Sequence, residues 1–224
     1  MQQRQALLNV LGRDDALVSV DQALRWLQRN QESDGSWSAQ RHGGGQETYT
    51  LGHNRRRAGM KAQTAMTGLA VLAFVGAGHD HRDGPYRDTI DAALAYLISQ
   101  QRSDGDLSGD ASLFAAMYCH GMASLALAEV LAYTADDRLR GPVTKAVQFT
   151  IRGQDPNTGS WRYAAGDGQG DMSQFGWQVM LLTTAELSGI AIPEVTRFRM
   201  QRFVDRMSVG RAGGLASYQR GHRP

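Results

Sequence analysis

Cysteine is nearly absent from this sequence, and net charge is small. Cys119 is the only cysteine among the 224 residues, so neither an intrachain disulfide nor a zinc cage built from several cysteines can form. The 24 Lys and Arg residues are almost balanced by 22 Asp and Glu residues, which leaves a formal net charge of +2. We therefore expect no binding to nucleic acid, and the one basic cluster, residues 54–61, is typical of a solvated loop.

Long apolar runs and targeting segments are also missing. No apolar run is expected to reach the roughly 18 uncharged residues of a membrane span, and residues 1–15 lack the apolar stretch of a signal peptide. We therefore expect no transmembrane segment, and a cytoplasmic location if the first residue is the natural start. A hydrophobic content of 42% with 21% charged residues is ordinary for a folded chain with a real core.

An internal repeat organises the sequence. "ALRWLQRNQESDGSW" (23–37) is followed by "ALAYLISQQRSDGDL" (93–107) and "AVQFTIRGQDPNTGSW" (146–161). Each copy ends in a Gln, a Gly and, two positions beyond the Gly, a Trp or Leu, and these three positions are termed a clamp. The clamps are Gln31, Gly35 and Trp37, then Gln101, Gly105 and Leu107, then Gln154, Gly159 and Trp161. A weaker fourth copy has Ser208 in place of the Gln and Gly213 in place of the Gly.

The clamp residue types predict how each helix ends. The last carbonyl groups of a helix lack intrahelical partners, and a Gln amide near the helix end can donate to them. A Gly then permits the left-handed backbone of a tight turn. Trp37 and Trp161 are expected to fold back over the Gln, so that each clamp ties one helix to the next.

A second series of helices is predicted between the clamps. These apolar segments are 64–78, 112–134 and 173–189. Glu129 and Glu186 are their only acidic residues, whereas the helices that precede the clamps are charged and amphipathic. Each apolar segment has an inner glycine near its start, namely Gly68, Gly121 and Gly176. A helix that is apolar nearly all round must be enclosed, so we predict an inner layer of apolar helices and an outer layer of amphipathic helices.

The clamps resemble the QW motifs of squalene and oxidosqualene cyclases, within the prenyltransferase and squalene oxidase repeat family. The resemblance covers about residues 20–218 and implies an all-α fold, an α/α toroid with inner helices around an apolar cavity. This chain has about three and a half helical hairpins, so we expect a partial toroid, with residues 1–224 as a single domain that is a fragment of a longer chain. An open inner face would favour a homodimer or a lipid. Residues 38–60 are an inserted loop, either a lid or structurally idle.

The catalytic motifs of the resembled enzymes are not found. Class II terpene cyclases protonate an alkene with an Asp-x-Asp-Asp acid, and neither "TADDR" (134–138) nor "DGDLSGD" (104–110) has that spacing. Protein prenyltransferases hold zinc with Asp, Cys and His, but Cys119 and His120 are adjacent on a helix and point about 100° apart. We therefore expect no metal site and no cofactor.

Two candidate sites remain. His120 lies just before Gly121 and is expected at the rim of the cavity or between inner helices, where a structural role is favoured over one as a general base or ligand contact. Asp171 or Ser173 is predicted to cap the helix that follows; alternatively, Asp171 binds a polar headgroup while nearby aromatic rings hold an apolar tail. His120 and Asp171 are the weak catalytic candidates. The predicted ligand-binding residues are Tyr118, His120, Tyr163, Asp171, Gln174 and Trp177, with Tyr118, Asp171 or Gln174 as the hydrogen-bond partner of His120.

Three hypotheses for function follow from these observations. The first is a non-catalytic toroid domain that binds an apolar, isoprenoid-type ligand or a protein segment. The second is a terpene cyclase or prenyltransferase-type enzyme whose acid or metal site lies outside this chain. The third is a toroid that acts on polysaccharide, which requires facing carboxylates about 5 to 10 Å apart.

Overall fold

The computed structural model describes residues 14–50, 53–210 and 213–219. Its helices are α1 (Asp14–Arg29), α2 (Gln63–Gly76), α3 (Arg87–Ser99), α4 (Ala116–Thr134), α5 (Asp137–Arg152), α6 (Met172–Leu187) and α7 (Glu194–Met207). Short 3-10 turns lie at Gln40–His42, Ala58–Lys61 and Leu113–Ala115. Two antiparallel hairpins pair β1 (Tyr49–Thr50) with β2 (His53–Asn54) and β3 (Ser208–Val209) with β4 (Leu215–Ala216). The predicted all-α fold is confirmed.

The helices form two layers. The apolar helices α2, α4 and α6 pack side by side in an inner layer, with α4 in the centre. The charged helices α1, α3, α5 and α7 alternate with them along the chain and form the outer layer. Helix α4 is buried on most of its circumference, because it has an inner helix on each side and α5 behind it. The predicted toroid-like arrangement of helical hairpins is therefore confirmed.

The inner glycines set the distance between neighbouring inner helices. A Cβ atom on Gly68 of α2 would lie 2.7 Å from the Met122 carbonyl oxygen of α4. One on Gly121 of α4 would lie 2.8 Å from the Gln178 amide nitrogen of α6. Gly176 occupies the same register on α6, but a Cβ there would meet no described atom within 4 Å. The first two glycines therefore permit close helix packing, and the face of α6 that carries Gly176 is left open by the described residues.

The clamp glutamines connect consecutive outer helices. The Gln31 amide donates to the carbonyl of Gly35 (3.0 Å) and to that of Thr89 in the first turn of α3 (2.8 Å). Gln101 and Gln154 repeat this geometry, and their acceptors on α5 and α7 are Pro142 and Thr196, at 2.9 and 3.2 Å. The prediction that each Gln donates to the end of its own helix is therefore wrong.

The clamp tryptophans take over that role. The Trp37 indole N–H donates to the Leu27 carbonyl in the last turn of α1 (2.9 Å), and the Trp161 indole donates to Thr150 in the last turn of α5 (2.7 Å). Both rings are buried. The carbonyls left free at these helix ends are satisfied by an indole, which also fills the space between the layers.

The clamp glycines bring the loop against the backbone of the next outer helix. Gly35, Gly105 and Gly159 have φ values of +89°, +96° and +84°. A Cβ on them would lie 2.1 to 2.3 Å from the carbonyl oxygens of Ala92, Lys145 and Arg199, on α3, α5 and α7. Only glycine combines the left-handed φ with so close an approach.

The fourth, weaker copy does not form a clamp. Ser208 begins β3, and its hydroxyl donates to the Val204 carbonyl of its own helix (3.1 Å). Gly213 lies in the turn between β3 and β4, and a Cβ there would meet no described atom within 4 Å. The Ser208 hydroxyl bonds within its own helix rather than across to a neighbour, and the chain folds back as the hairpin β3–β4.

The segment Leu113–Thr134, which contains α4, is long and apolar enough by composition to cross a membrane. This contradicts the expectation that no segment reaches that length. Within the fold, 61% of its most apolar window is buried against other helices. A helix in the centre of a protein core can have the same length and apolar composition as a membrane span.

The inserted loop lies over the N-terminal ends of α2 and α4. Its last turn, Ala58–Lys61, packs against Leu113–Ala115, and the guanidinium of Arg55 lies 4.6 Å from the centre of the Phe114 ring. These contacts place the insertion at one end of the inner layer. Its role as a lid stays a prediction.

Candidate functional site

The inner face is the side of α2, α4 and α6 turned away from the outer helices. Positions one and four residues after each inner glycine lie on this face, because helical residues three apart share a side. These residues are all apolar: Leu69 and Leu72, Met122 and Leu125, Trp177 and Met180. All but Leu125 are at least partly exposed. The three helices thus present an apolar surface with no charged residue at these six positions along its middle.

A hydrogen-bonded polar cluster lies at the N-terminal end of the inner face. The Tyr118 hydroxyl of α4 and the Ser173 hydroxyl of α6 are 2.5 Å apart. Ser173 donates to Asp171 Oδ1 (2.8 Å), which also accepts from the Gln174 backbone N–H (2.8 Å). The Tyr218 hydroxyl lies 3.4 Å from that of Ser173. Tyr118, Ser173, Asp171 and Tyr218 are termed the tyrosine–serine cluster. Asp171 caps α6 as predicted.

Aromatic rings and two arginines surround this end of the face. The Tyr163 ring packs edge-on against Phe114 (5.0 Å) and lies 6.4 Å from the Tyr118 ring. Arg162 stacks over Tyr163 at 4.6 Å, and its guanidinium is 3.8 Å from Asp171 Oδ2. The structure therefore brings Tyr118, Tyr163 and Asp171 together, as the sequence predicted.

Gln174 and Trp177 lie beside the cluster on α6. Gln174 is fully buried, and neither of its amide atoms has a hydrogen-bond partner among the described residues. The Cβ of Trp177 lies against Gly121 of α4, and the residue is half-buried on the inner face. Of the six predicted ligand-binding residues, His120 lies away from this surface, and Gln174 is buried beneath it on the side of α6 that carries Gln178.

His120 points to the outer layer, two positions and about 200° round the helix from Tyr118. It is fully buried. Its Nε2 lies 2.9 Å from the Thr150 hydroxyl of α5, and its ring packs against Phe149 at 4.5 Å. Its expected partners Tyr118, Asp171 and Gln174 are therefore wrong. The helical register could have revealed this, because residues 118 and 120 cannot share a face.

The hydrogen bonds of His120 support a neutral imidazole. Nδ1 accepts from the Leu107 backbone N–H (3.1 Å), so the proton is assigned to Nε2, which donates to Thr150. The Thr150 hydroxyl then donates to Gln178 (3.3 Å), whose amide donates to the Met117 carbonyl (3.2 Å). Thr67 lies at the same register on α2, and its hydroxyl accepts from the backbone N–H of Trp37 in the same way (3.1 Å). His120 therefore connects Leu107 of the second clamp to Thr150 of α5 in the outer layer. This is the structural role that the sequence favoured for it.

Asp106 lies beside this network and is itself almost buried. Its Oδ1 is 3.4 Å from His120 Nδ1 and accepts from Ser108 N–H (2.8 Å). Burial acts to raise the pKa of Asp106, but the hydrogen bonds that its carboxylate accepts from the Ser108 hydroxyl (2.6 Å) and backbone N–H outweigh it and hold the pKa below its ordinary value. The ionised carboxylate is therefore favoured by the folded state.

We expect Asp106→Asn to lower stability at pH 7 by about 1 to 2 kcal/mol. Because the folded-state pKa lies below the unfolded value near 3.8, the carboxylate stabilises the fold above pH 4, and this contribution is lost as pH falls towards 2. Urea unfolding followed by circular dichroism should show the two proteins converging between pH 4 and 2. A difference that stays constant over that range would contradict this assignment.

The two acidic residues of the apolar helices do not face each other. Glu129 lies at the C-terminal end of the inner face, where it accepts from the Thr184 hydroxyl (2.7 Å). Glu186 pairs with Arg197 of α7. The pair of facing carboxylates that the polysaccharide hypothesis requires is therefore not formed by these residues.

Two cavities lie away from the inner face and are lined by other residues than those predicted to bind a ligand. One of about 410 Å³ lies beside α7 and the loop before α6, with Gly170, Phe203 and Arg206 in its lining. A polar cavity of about 300 Å³ lies between the first two clamps, lined by Asp34, Thr64 and Tyr96 among others. Neither contains a predicted ligand-binding residue. No group of three or more His, Cys, Asp or Glu side chains suited to a metal occurs within 14–50, 53–210 and 213–219.

Ser173, predicted only as an alternative helix cap, and Tyr218 are cluster members that the predicted ligand-binding residues did not include. The register could have found Ser173, because it and Tyr118 both lie three residues before an inner glycine. No pattern indicated Tyr218, because the hairpin β3–β4 carries it back to α6, where its carbonyl accepts from Met172 N–H (3.1 Å).

The alternating layers and the apolar inner face define an α/α-toroid protein. Residues 3–118, just over half of the chain, match the family model described as squalene-hopene cyclase C-terminal domain. The chain therefore belongs to this terpenoid cyclase-like family. The match includes the first two clamps and ends at Tyr118, before Asp171 and Ser173. No curated protein and no solved structure matches the chain.

Proposed function

We propose that this protein binds an apolar, isoprenoid-type ligand on its inner face and does not catalyse its conversion. The observation that carries the proposal is the matched apolar positions of the three inner helices. Leu69, Met122 and Trp177 occupy the same register and are all half-buried. A branched hydrocarbon that covers these side chains would remove their exposed apolar area from water, at about 25 cal/mol per Å².

The absence of a suitable acid favours binding over cyclisation. The sequence has no Asp-x-Asp-Asp motif. At the two ends of the inner face, Asp171 accepts hydrogen bonds from Ser173 and Glu129 accepts one from Thr184. An alkene-protonating acid must aim its own proton at the ligand, whereas both of these carboxylates are turned towards hydroxyl groups from which they accept.

A charge placed in the middle of the inner face tests this proposal. We expect squalene, added from a detergent dispersion, to bind the protein and shift the fluorescence emission of half-buried Trp177 to shorter wavelength, because the ligand removes the indole from water. Met122→Glu should weaken this binding at least 10-fold, because the ligand would bury a carboxylate with no partner.

The matched control places the same charge on the outer layer. Phe198 of α7 is 62% exposed, so Phe198→Glu should leave squalene binding unchanged. Circular dichroism confirms that both variants are folded. Equal squalene affinity of Met122→Glu and the unmodified protein, or no binding by either, would overturn the proposal.

A further inference from the structure

The tyrosine–serine cluster lies where the apolar surface ends. Tyr118 and Ser173 are four residues before Met122 and Trp177, so each pair occupies the same side of its helix one turn apart. Tyr118 and Ser173 are both half-buried, which leaves them accessible from the inner face. A ligand that covers Met122 and Trp177 would therefore have one end against these two hydroxyl groups.

The tyrosine–serine cluster and its partner Arg162 are together close to electrically neutral, and Arg55 over Phe114 is a further cation at this end of the face. Burial raises the pKa of Tyr118 to about 12, so its hydroxyl stays protonated at neutral pH. The Asp171 carboxylate is fully buried and lies 3.8 Å from the Arg162 guanidinium, so their charges offset each other. Neither an anionic nor a cationic headgroup would gain a net opposite charge from the cluster and Arg162.

The cluster also has unused hydrogen-bonding capacity. Asp171 Oδ2 is buried and has no hydrogen-bond partner in the part of the chain that the structure describes. Buried polar atoms are nearly always paired, so such atoms mark a place where a ligand or water supplies the missing bonds. A hydroxyl group both donates and accepts, and it suits carboxylate, phenol and serine partners together.

We infer that the inner face selects isoprenoid alcohols over the corresponding hydrocarbons, because the tyrosine–serine cluster binds an uncharged terminal hydroxyl group. This inference rests on the proposed function, since it assigns the headgroup of the same ligand. Asp171 and Ser173 lie outside the residues that match the family model, so the selectivity belongs to this chain's own cluster.

Phytol and phytene test the inference, because they share one branched C20 skeleton and differ in the terminal hydroxyl. We expect phytol to bind about 10-fold more tightly than phytene, as two new hydrogen bonds would provide. In Tyr118→Phe and in Ser173→Ala the preference should fall to about 3-fold or less, while phytene affinity stays within about 2-fold of the unmodified protein. Asp171 still caps α6 in both variants, so the fold is retained.

The control is Tyr133→Phe, which removes a phenol hydroxyl from the same helix, about 22 Å further along. Tyr133 is 52% exposed, and this variant should keep the full preference for phytol. Binding of phytene without a preference for phytol would overturn the inference and leave the proposed function standing. Binding of neither compound would overturn both. Tighter binding of phytyl diphosphate than of phytol would also overturn the inference, because it would show that Arg55 and Arg162 favour an anion.

Discussion

Gly159→Ala is expected to destabilise the protein by about 3 kcal/mol or more. Gly159 has a φ of +84°, and a Cβ there would lie 2.1 Å from the Arg199 carbonyl oxygen. That oxygen belongs to the backbone of α7, which can move away only if the contact between the clamp and α7 opens. The Gln154 bond to Thr196 would be lost with it, because it joins the same two segments.

Gly84→Ala is the matched control. Gly84 also has a φ of +84°, but a Cβ there would meet no described atom within 4 Å. This variant should lose only about 1 kcal/mol from backbone strain. Thermal unfolding should separate the two, at roughly 2 to 4 °C per kcal/mol for a chain of this size. Equal losses would show that φ alone, and not contact with α7, requires glycine in the clamp.

Gly68→Ala and Gly176→Ala are expected to change stability in opposite directions. Both positions lie at the same register in an inner helix, where alanine favours the helix by about 0.5 to 1 kcal/mol. At Gly68 the added methyl group would lie 2.7 Å from the Met122 carbonyl, so we expect a net loss of about 2 kcal/mol. At Gly176 no described atom is near, so the helix preference should remain as a net gain.

Urea unfolding of the two variants measures both effects. A loss in Gly176→Ala comparable to that in Gly68→Ala would mean that the Gly176 face of α6 is covered. The opposite signs would show that inner glycines are needed only where a second inner helix is in contact. Both variants carry the same Gly-to-Ala substitution at the same position of the repeat, so the change in helix propensity is the same in both.

Most of the fold could be predicted from the sequence, because the signals are local and repeated. The apolar segments around Gly68, Gly121 and Gly176 have no charged face to present to water. This alone predicted that they form the inner layer, without knowledge of the helices that pack against them. Asp171 could be assigned as a helix cap because capping involves residues only two or three positions apart. These features depend on periodicity within one helix or on contacts within one turn.

The partners of long side chains could not be predicted in the same way. Gln31 has the reach to bond either its own helix end or the next outer helix, and only the packing of α3 against the clamp places the Thr89 carbonyl within 2.8 Å. The same holds for the indole of Trp161, which replaces the Gln at the helix end. The choice depends on which carbonyl the neighbouring helix presents.

The sequence by itself determined the helices, their division into two layers and the repeat, since these follow from the spacing of apolar residues and glycines. Only the tertiary structure decided that His120 faces the outer layer, that the fourth copy becomes a hairpin and that Tyr218 joins Tyr118 and Ser173. The positions of His120 and Tyr218 depend on residues 30 to 100 positions apart meeting in space, which arises from the packing of whole helices rather than from any local pattern. The hairpin joins residues only six to eight positions apart, but its sequence resembled a clamp and only the structure shows the pairing of β3 with β4.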